Sequence, residues 1–379
     1  MMRRIIAMAK KETLHIVRDW RTMLVSFAIP LIMLLLFGYA VTLDINQIPT
    51  VVCDQDHSPA SRDLISKIVS SDYFRKVFVA DYPDEIKQFL DSGKAKVGLY
   101  IPSGYEVNLL KNRTGNVQVL IDGSESNTGS IAVGYLQTIF TRETFKSIQK
   151  NMERRGVQGI SKAGLVEPVV RVWYNPQLRS ANNIIPGLVA VIMMIMTALL
   201  SSLTVVRERE HGTMEQLLAT PARPSEILIG KLIPYFVIGM VDCLMIVILG
   251  SLVFNVPMAG SFILLILLSC AFAFCGLGIG LRISTTATSQ LFAMQLAVLT
   301  SMLPSFLLSG FMFAIHNMPN FIRPVTYLVP ASYFIEILRG IFLKDMGITE
   351  LYKPAGFLLI FGALMLISSA MGFKRRLDG

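Results

Sequence analysis

Hydrophobic and polar positions separate into long blocks along this chain. Thr22 to Leu43 and Ser180 to Val206 contain no charged residue, and each exceeds the roughly 20 residues a helix needs to cross a bilayer. Further apolar blocks run from about Ile227 to Phe254, from Phe262 to Leu281, from the polar bend at Arg282 to Ser289 onward to about Phe313, and from Gly356 to Phe373. The pattern predicts an α-helical integral membrane protein with six transmembrane helices, helix 1 at 22–43 and helices 2 to 6 within 180–373. Pro30 is expected to bend the first. Six crossings place both chain ends on one side.

Between the first two blocks the period changes. From Asp44 to Arg179 the order reads strand (Thr50 to Cys53), helix (Pro59 to Ser70), strand (Lys76 to Val79), helix (Pro83 to Asp91), strand (Lys96 to Ile101), helix (Ser103 to Leu110), strand (Asn116 to Ile121) and a long helix from about Ser126 to Arg155. Such alternation predicts an inserted α/β domain, 44–179, on the extracytoplasmic side. His57 has no nucleophile or metal partner in the pattern. Asp54, Asp56 and Ser58 resemble the start of a calcium loop, but its glycine and later ligands are absent, and turn and cap chemistry explains them better.

Composition sharpens this picture. Hydrophobic residues make up 53% of the chain and charged residues 16%, with mean hydropathy +0.56 and net charge +9. The basic residues gather at the ends of apolar blocks, so the charge sets orientation by the positive-inside rule and does not imply nucleic acid. Arg3, Arg4, Lys10, Lys11, Arg18, Arg21, Arg207, Arg209, Arg223, Lys231, Arg282 and Lys374 to Arg376 all fall on one side, which is then cytoplasmic. Residues 1–21 form an amphipathic interface helix, with Ile5, Ile6, Ala9, Leu14 and Val17 on one side. Its basic character also suits the start of a signal sequence, but the uncharged run that follows is too long for one. Residues 374–379 are a cytoplasmic tail. The four cysteines have no disulfide or metal-ligand spacing.

The polar island from Arg207 to Lys231 interrupts the membrane segments. Thr213 with Gln216 fits a capping box, predicting a short helix from Met214 to Ala219 that Pro221 stops. Met214, Leu217 and Leu218 share one apolar face on it and want a partner. Ser225 before Glu226 is a second cap signal, opening the third membrane helix. No glycine-rich phosphate loop occurs anywhere, so the chain has no nucleotide site of its own.

Polar residues within the apolar blocks are the remaining candidates. Asp242 sits inside the third, where an unpaired acid costs about 2.5–3.5 kcal/mol and should face the bundle or a wet cavity. Its alternatives are cargo or ion handling and a structural hydrogen bond. Gln290, Gln295 and Ser301 on the fifth helix either line a pathway or join helices together, the second being commoner. In the re-entrant segment 314–353, Ala331 to Leu343 is too short to span, and Glu336 and Arg339 at i, i+3 are expected to pair beside an outer gate.

The loop R-E-R-E-H-G-T-M-E-Q-L-L-A-T-P, Arg207 to Pro221, resembles the E-x-E-x-G-T-x-E-x-L-L-x-T-P signature of ABC-2 type transporter permeases. Asp54 to Ser58 with Ser61 to Leu64 is similar to the opening of the domain carried by one branch of that family, and Gly98 to Pro102 to its I-P turn. Ser309 to Phe313, Met318-Pro319 and Pro330 to Leu343 resemble the end of the fifth helix and the re-entrant elements, although Ala314 stands where the family often has proline. The resemblance implies a permease without cofactor or catalytic residues of its own, driven by separate ABC ATPase subunits that hold ATP and Mg. It implies a second permease chain, homo- or heterodimeric, in the bacterial inner membrane, and room for a periplasmic adaptor among membrane lipids. It makes loop 207–226 a coupling helix, with Glu208 and Glu210 as its paired acids and Gly212, Thr213 and Glu215 as the segment meeting the ATPase. Met214, Leu217 and Leu218 would insert into a groove there. The function implied is export of a drug- or lipid-like molecule. The alternatives are an ion-coupled carrier using Asp242, a polysaccharide exporter, or a membrane-anchored sensor.

Overall fold

The computed structural model describes residues 2–40, 47–71, 73–111, 113–124, 126–154, 173–175, 179–214 and 223–377. The chain divides into two compact units, residues 1–42 with 172–379, and residues 43–171. In the first, helix α1 (Met2–Arg18) precedes α2 (Trp20–Ala40), which contains Pro30. Ile5, Met8, Glu12 and Ile16 recur at helical spacing on α1, and Glu12 and Ile16 are buried. Met2, Ile6, Leu14 and Val17 lie on its exposed remainder, so the apolar arc of α1 runs on past the buried face and leaves an exposed stripe beside its basic residues.

The second unit holds a four-stranded sheet in the order β2-β1-β3-β4, with β1 at Ile48–Asp54, β2 at Phe74–Val79, β3 at Val97–Ile101 and β4 at Gln118–Ile121. Strand β1 pairs parallel to β2 and β3, and β4 runs antiparallel to β3. Helices α3 (Pro59–Val69), α4 (Pro83–Asp91), α5 (Tyr105–Leu110) and α6 (Ser126–Arg154) supply the connections and cover. Because strand side chains alternate between faces, Val52, Val97, Leu99 and Ile101 meet Leu64 and Ile68 of α3 and Leu136 of α6, while Val51 and Cys53 meet Ile86 of α4. Gly98 lies against Ile86, where no Cβ fits.

The acids after β1 are cap residues. Asp54 accepts the N–H groups of Asp56 and His57 at 3.1 Å and the Ser61 hydroxyl at 2.7 Å. Ser58 caps α3 in a reciprocal box with Ser61. Asp56 reaches the start of α5, accepting the N–H groups of Gly104 at 2.7 Å, Tyr105 at 3.0 Å and Glu106 at 3.1 Å. Burial works to raise the Asp56 carboxyl, but the Ser58 hydroxyl and these three N–H groups outweigh it and hold it below the usual carboxylate range. Similarly, the Ser124 hydroxyl, Lys96 and the Ser124 N–H lower Asp122 to about 2.

The remaining helices of the first unit are α7 (Ala181–Glu210), α8 (Pro224–Phe254), α9 (Phe262–Thr286), α10 (Gln290–Leu303), α11 (Arg323–Thr326), α12 (Pro330–Lys344) and α13 (Ile348–Leu377). Among the described residues six helices are long and apolar enough to cross a membrane. Helix α7 is the central rod, buried at every residue from Ile184 to Val206. Helix α9 approaches it closely because Gly276 and Gly280 stand where a Cβ would collide with Thr197 and Ser201, the small-residue packing favoured between membrane helices.

Three boundaries differ from the sequence reading. Helix α8 opens at Pro224, and its cap is Arg223, whose N–H donates to Glu226 at 2.9 Å. Ser225 is already helical, because proline is preorganised for the first helical position. The fifth apolar block leaves α-geometry at Pro304, which lacks the N–H needed to continue the ladder, and a π-turn spans Pro304–Leu308. The last helix begins at Ile348, shortening the segment before it. The predicted Glu336–Arg339 pair does not form: Glu336 is exposed, while Arg339 turns inward to donate to the Gly310 carbonyl at 3.2 Å. That carbonyl is available because Gly310, at φ +82°, ends the turn.

The folded Asp56 value lies below the unfolded one, so its contribution is complete above about pH 3.9 and disappears as pH falls through the folded value. Asp56→Asn should cost about 1.5–3 kcal/mol by weakening charge-assisted bonds, read as faster amide exchange at Gly104 to Glu106 in the full chain at neutral pH. The wild type should lose the same protection, measured against the intrinsic exchange rate at each pH, only in strong acid.

Candidate functional site

The site is the base of the polar loop, where α7 ends. Gly212, at φ +71°, takes the left-handed conformation that closes a helix. Four charged residues, Arg207 to Glu210, occupy its last turn. Successive residues on a helix point about 100° apart, so Glu208 and Glu210 face nearly opposite ways.

Glu208 faces inward. Its carboxylate lies 2.8 Å from Lys231 Nζ of α8 and 3.4 Å from Lys11 Nζ of α1, and it accepts the Thr213 hydroxyl. Lys231 lies 3.3 Å from Glu12 of α1 and donates to the Thr204 carbonyl at 3.3 Å. Tyr235, one turn further along α8, donates to Glu12 at 2.8 Å. Lys231 and Glu12 are each only 3% exposed. An ammonium ion from α8 is therefore enclosed between two carboxylates, one from α1 and one from α7.

Glu210 faces the other way and accepts the Gln290 N–H at 3.1 Å, at the first residue of α10. Arg209 donates to the Ala287 carbonyl at 2.7 Å, and Arg207 reaches the Gln290 side chain at 3.4 Å. The end of α7 is thus fastened to α1 and α8 on one side and to the α9–α10 turn on the other. A displacement of the loop base cannot leave either group of helices unmoved without breaking charge-assisted bonds.

Of the residues read from sequence, Glu208, Glu210, Gly212, Thr213 and Met214 meet at this base. The Thr213 hydroxyl goes to Glu208, and Met214 packs on Leu228, Leu281 and Phe373. Glu215, Leu217 and Leu218, with Gln216 and the predicted short helix, lie outside the described residues. The other candidates are dispersed. Gln290 joins the loop base, and the buried Ser301 hydroxyl donates to Ala297 of its own helix at 2.6 Å. Gln295 is exposed. Asp242 is 0% exposed, and neither carboxyl oxygen has a hydrogen-bond partner among the described residues.

Glu12, Lys231 and Tyr235 were missed as site residues. The signal for Glu12 was present: it is the one acid in α1 and stands in register with Ile5, Met8 and Ile16. Lys231 sits inside an otherwise apolar block, two turns past the cap, where it reads as an ordinary boundary charge.

Removing one partner of a buried ion pair costs about 3–5 kcal/mol, whereas replacing the whole group by apolar residues is often neutral. Lys231→Met should therefore lower the thermal midpoint of the detergent-purified chain strongly. The triple variant Glu12→Leu, Lys231→Met, Glu208→Leu should return much closer to wild type.

Comparison with known proteins gives the family of the chain. The model of the ABC-2 family transporter proteins matches residues 20–370. The chain is 36% identical over 385 residues to the probable multidrug ABC transporter permease YbhS of Escherichia coli K12, covering 99% of this chain and 98% of that one. It is 30% identical over 376 residues to the probable multidrug ABC transporter permease YbhR of the same organism, covering 99% and 100%. The linearmycin resistance permease protein LnrN of Bacillus subtilis 168 is 20% identical over 396 residues, with 98% and 99% covered. With a helical membrane bundle, a braced polar loop and a family match over nearly its whole length, this chain belongs to the ABC-2 transporter family and is the membrane subunit of an ABC transporter.

Proposed function

We propose that this chain is the membrane half of an ATP-driven exporter that moves hydrophobic or amphipathic, drug- or lipid-like molecules out of the cytoplasm or inner leaflet. ATP and Mg are held by a separate ATPase subunit, which docks on loop 207–226. A second permease chain completes the transporter in the inner membrane, with N- and C-termini cytoplasmic and the 44–179 unit outside, placed to meet a periplasmic adaptor.

The observation that carries this reading is the two-sided fastening of the α7 end. A loop braced only by surface ion pairs would dissipate a push from a docked subunit, because such pairs contribute about 0–1 kcal/mol. Here the buried Glu208–Lys231–Glu12 group and the part-buried Arg209–Ala287 bond carry it to both halves of the bundle. The multidrug names of the relatives and the apolar character of the bundle support an amphipathic cargo.

Asp242, buried with both oxygens unpartnered among the described residues, favours a second reading, an ion-coupled carrier; the family match weighs against it.

In proteoliposomes holding the permease and its ATPase, the double variant Glu210→Ala, Leu217→Asp should lose at least about 90% of ATP-stimulated efflux of fluorescent amphipathic dyes. That corresponds to about 1.4 kcal/mol or more of lost coupling. Undiminished efflux, or ATP hydrolysis by the permease alone, contradicts the proposal. Efflux that follows a proton gradient without nucleotide and vanishes in Asp242→Asn favours the second reading.

A further inference from the structure

The starts of α1 and α8 enclose an open cleft of about 570 Å³ lined by Met2, Arg3, Arg4, Arg223 and Glu226. Three guanidinium groups meet a single carboxylate there. That carboxylate is already engaged, accepting the Arg223 N–H at 2.9 Å and lying 3.7 Å from Arg4. Arg3 and Arg223 are both exposed and leave the cleft with an excess of positive charge.

The surface beside the cleft is apolar. Met2 is 74%, Ile6 59% and Val17 59% exposed along α1, whose opposite face is closed by α8, with Gly230 against Met8. An exposed apolar stripe next to basic residues is the character of a helix lying in the headgroup layer of a membrane. Guanidinium groups match the paired oxygens of a phosphate in geometry as well as charge.

We propose that this cleft holds the phosphate of an anionic phospholipid headgroup, with the acyl chains lying along the Met2, Ile6 and Val17 stripe. The stripe argues for a lipid over free phosphate, which has no apolar part to bury. The excess charge argues for an anionic lipid over a zwitterionic one, whose ammonium group would meet Arg3 and Arg223. The binding concerns the permease alone and does not depend on export or on the ATPase.

Native mass spectrometry of the detergent-purified full chain, titrated with dioleoylphosphatidylglycerol and dioleoylphosphatidylcholine, tests it. A basic residue near an anionic headgroup contributes about fivefold in binding, so Arg3→Gln, Arg223→Gln should lose phosphatidylglycerol affinity by about 25-fold. Phosphatidylcholine retention should not change, and Arg3→Lys, Arg223→Lys should restore most of the affinity. Arg4 is left in place because it pairs with Glu226. Equal retention of the two lipids, or wild-type affinity in the glutamine variant, would overturn the proposal. Displacement of the lipid by millimolar inorganic phosphate would overturn the lipid assignment in favour of a free anion.

Discussion

A lysine ammonium enclosed between two carboxylates is the constraint on which the rest of the bundle depends. Glu12 comes from a helix distant in sequence from the two consecutive helices that supply Glu208 and Lys231, and each of the three is buried enough that losing its partner is costly. Helix α1 therefore cannot drift on the membrane surface as an independent amphipathic segment. It is fixed to α8 and, through Glu208, to the end of α7. Apolar contacts alone would resist separation but tolerate sliding, whereas a hydrogen-bonded ion group specifies one register.

That register matters because α7 is rigid in its surroundings. Enclosed from Ile184 to Val206 and contacted closely by α9 at Gly276 and Gly280, it has no free face along which to bend. Under the proposed coupling, motion applied at Arg207 to Glu210 would pass to neighbours by packing and by the bonds at the loop base. Its burial also means that any surface meeting a second permease or a cargo is made by other helices. Gln290 and Ser301 have internal partners, and of the three polar residues considered on α10 only Gln295 is exposed.

Much of the architecture was legible in the pattern of residues, for physical reasons. Uncharged blocks of bilayer length have few alternatives to a helix, and the segments from Thr50 to Ile121 correspond to four observed strands because short apolar runs, buried almost throughout in β1 and β3, are bounded by cap and turn residues there. Ser58 and Asp54 behaved as caps, as their spacing suggested. The failures concern side chains whose partners lie far away in sequence. Glu336 and Arg339 are helical neighbours, yet the pull on Arg339 is a carbonyl released by the π-turn at Pro304, which local spacing cannot register. Helical spacing alone turns Glu208 and Glu210 about 200° apart, but the helices that each then meets, α1 and α8 for one and α10 for the other, are set by tertiary packing. Lys231 was counted as a boundary charge because its carboxylates come from α1 and α7.

Under the proposed coupling, helix α1 is part of the moving assembly, and this can be measured without knowing the cargo. Hydrogen exchange along Met2 to Arg18, in the reconstituted permease–ATPase complex with and without ATP, reads it directly. Exchange in α1 should change on ATP binding in the wild type, and the change should disappear in the variant Glu12→Leu, Lys231→Met, Glu208→Leu while the complex stays assembled. An α1 indifferent to nucleotide in the wild type, or an equal response in the variant, would contradict the claim that this buried ion group carries the motion.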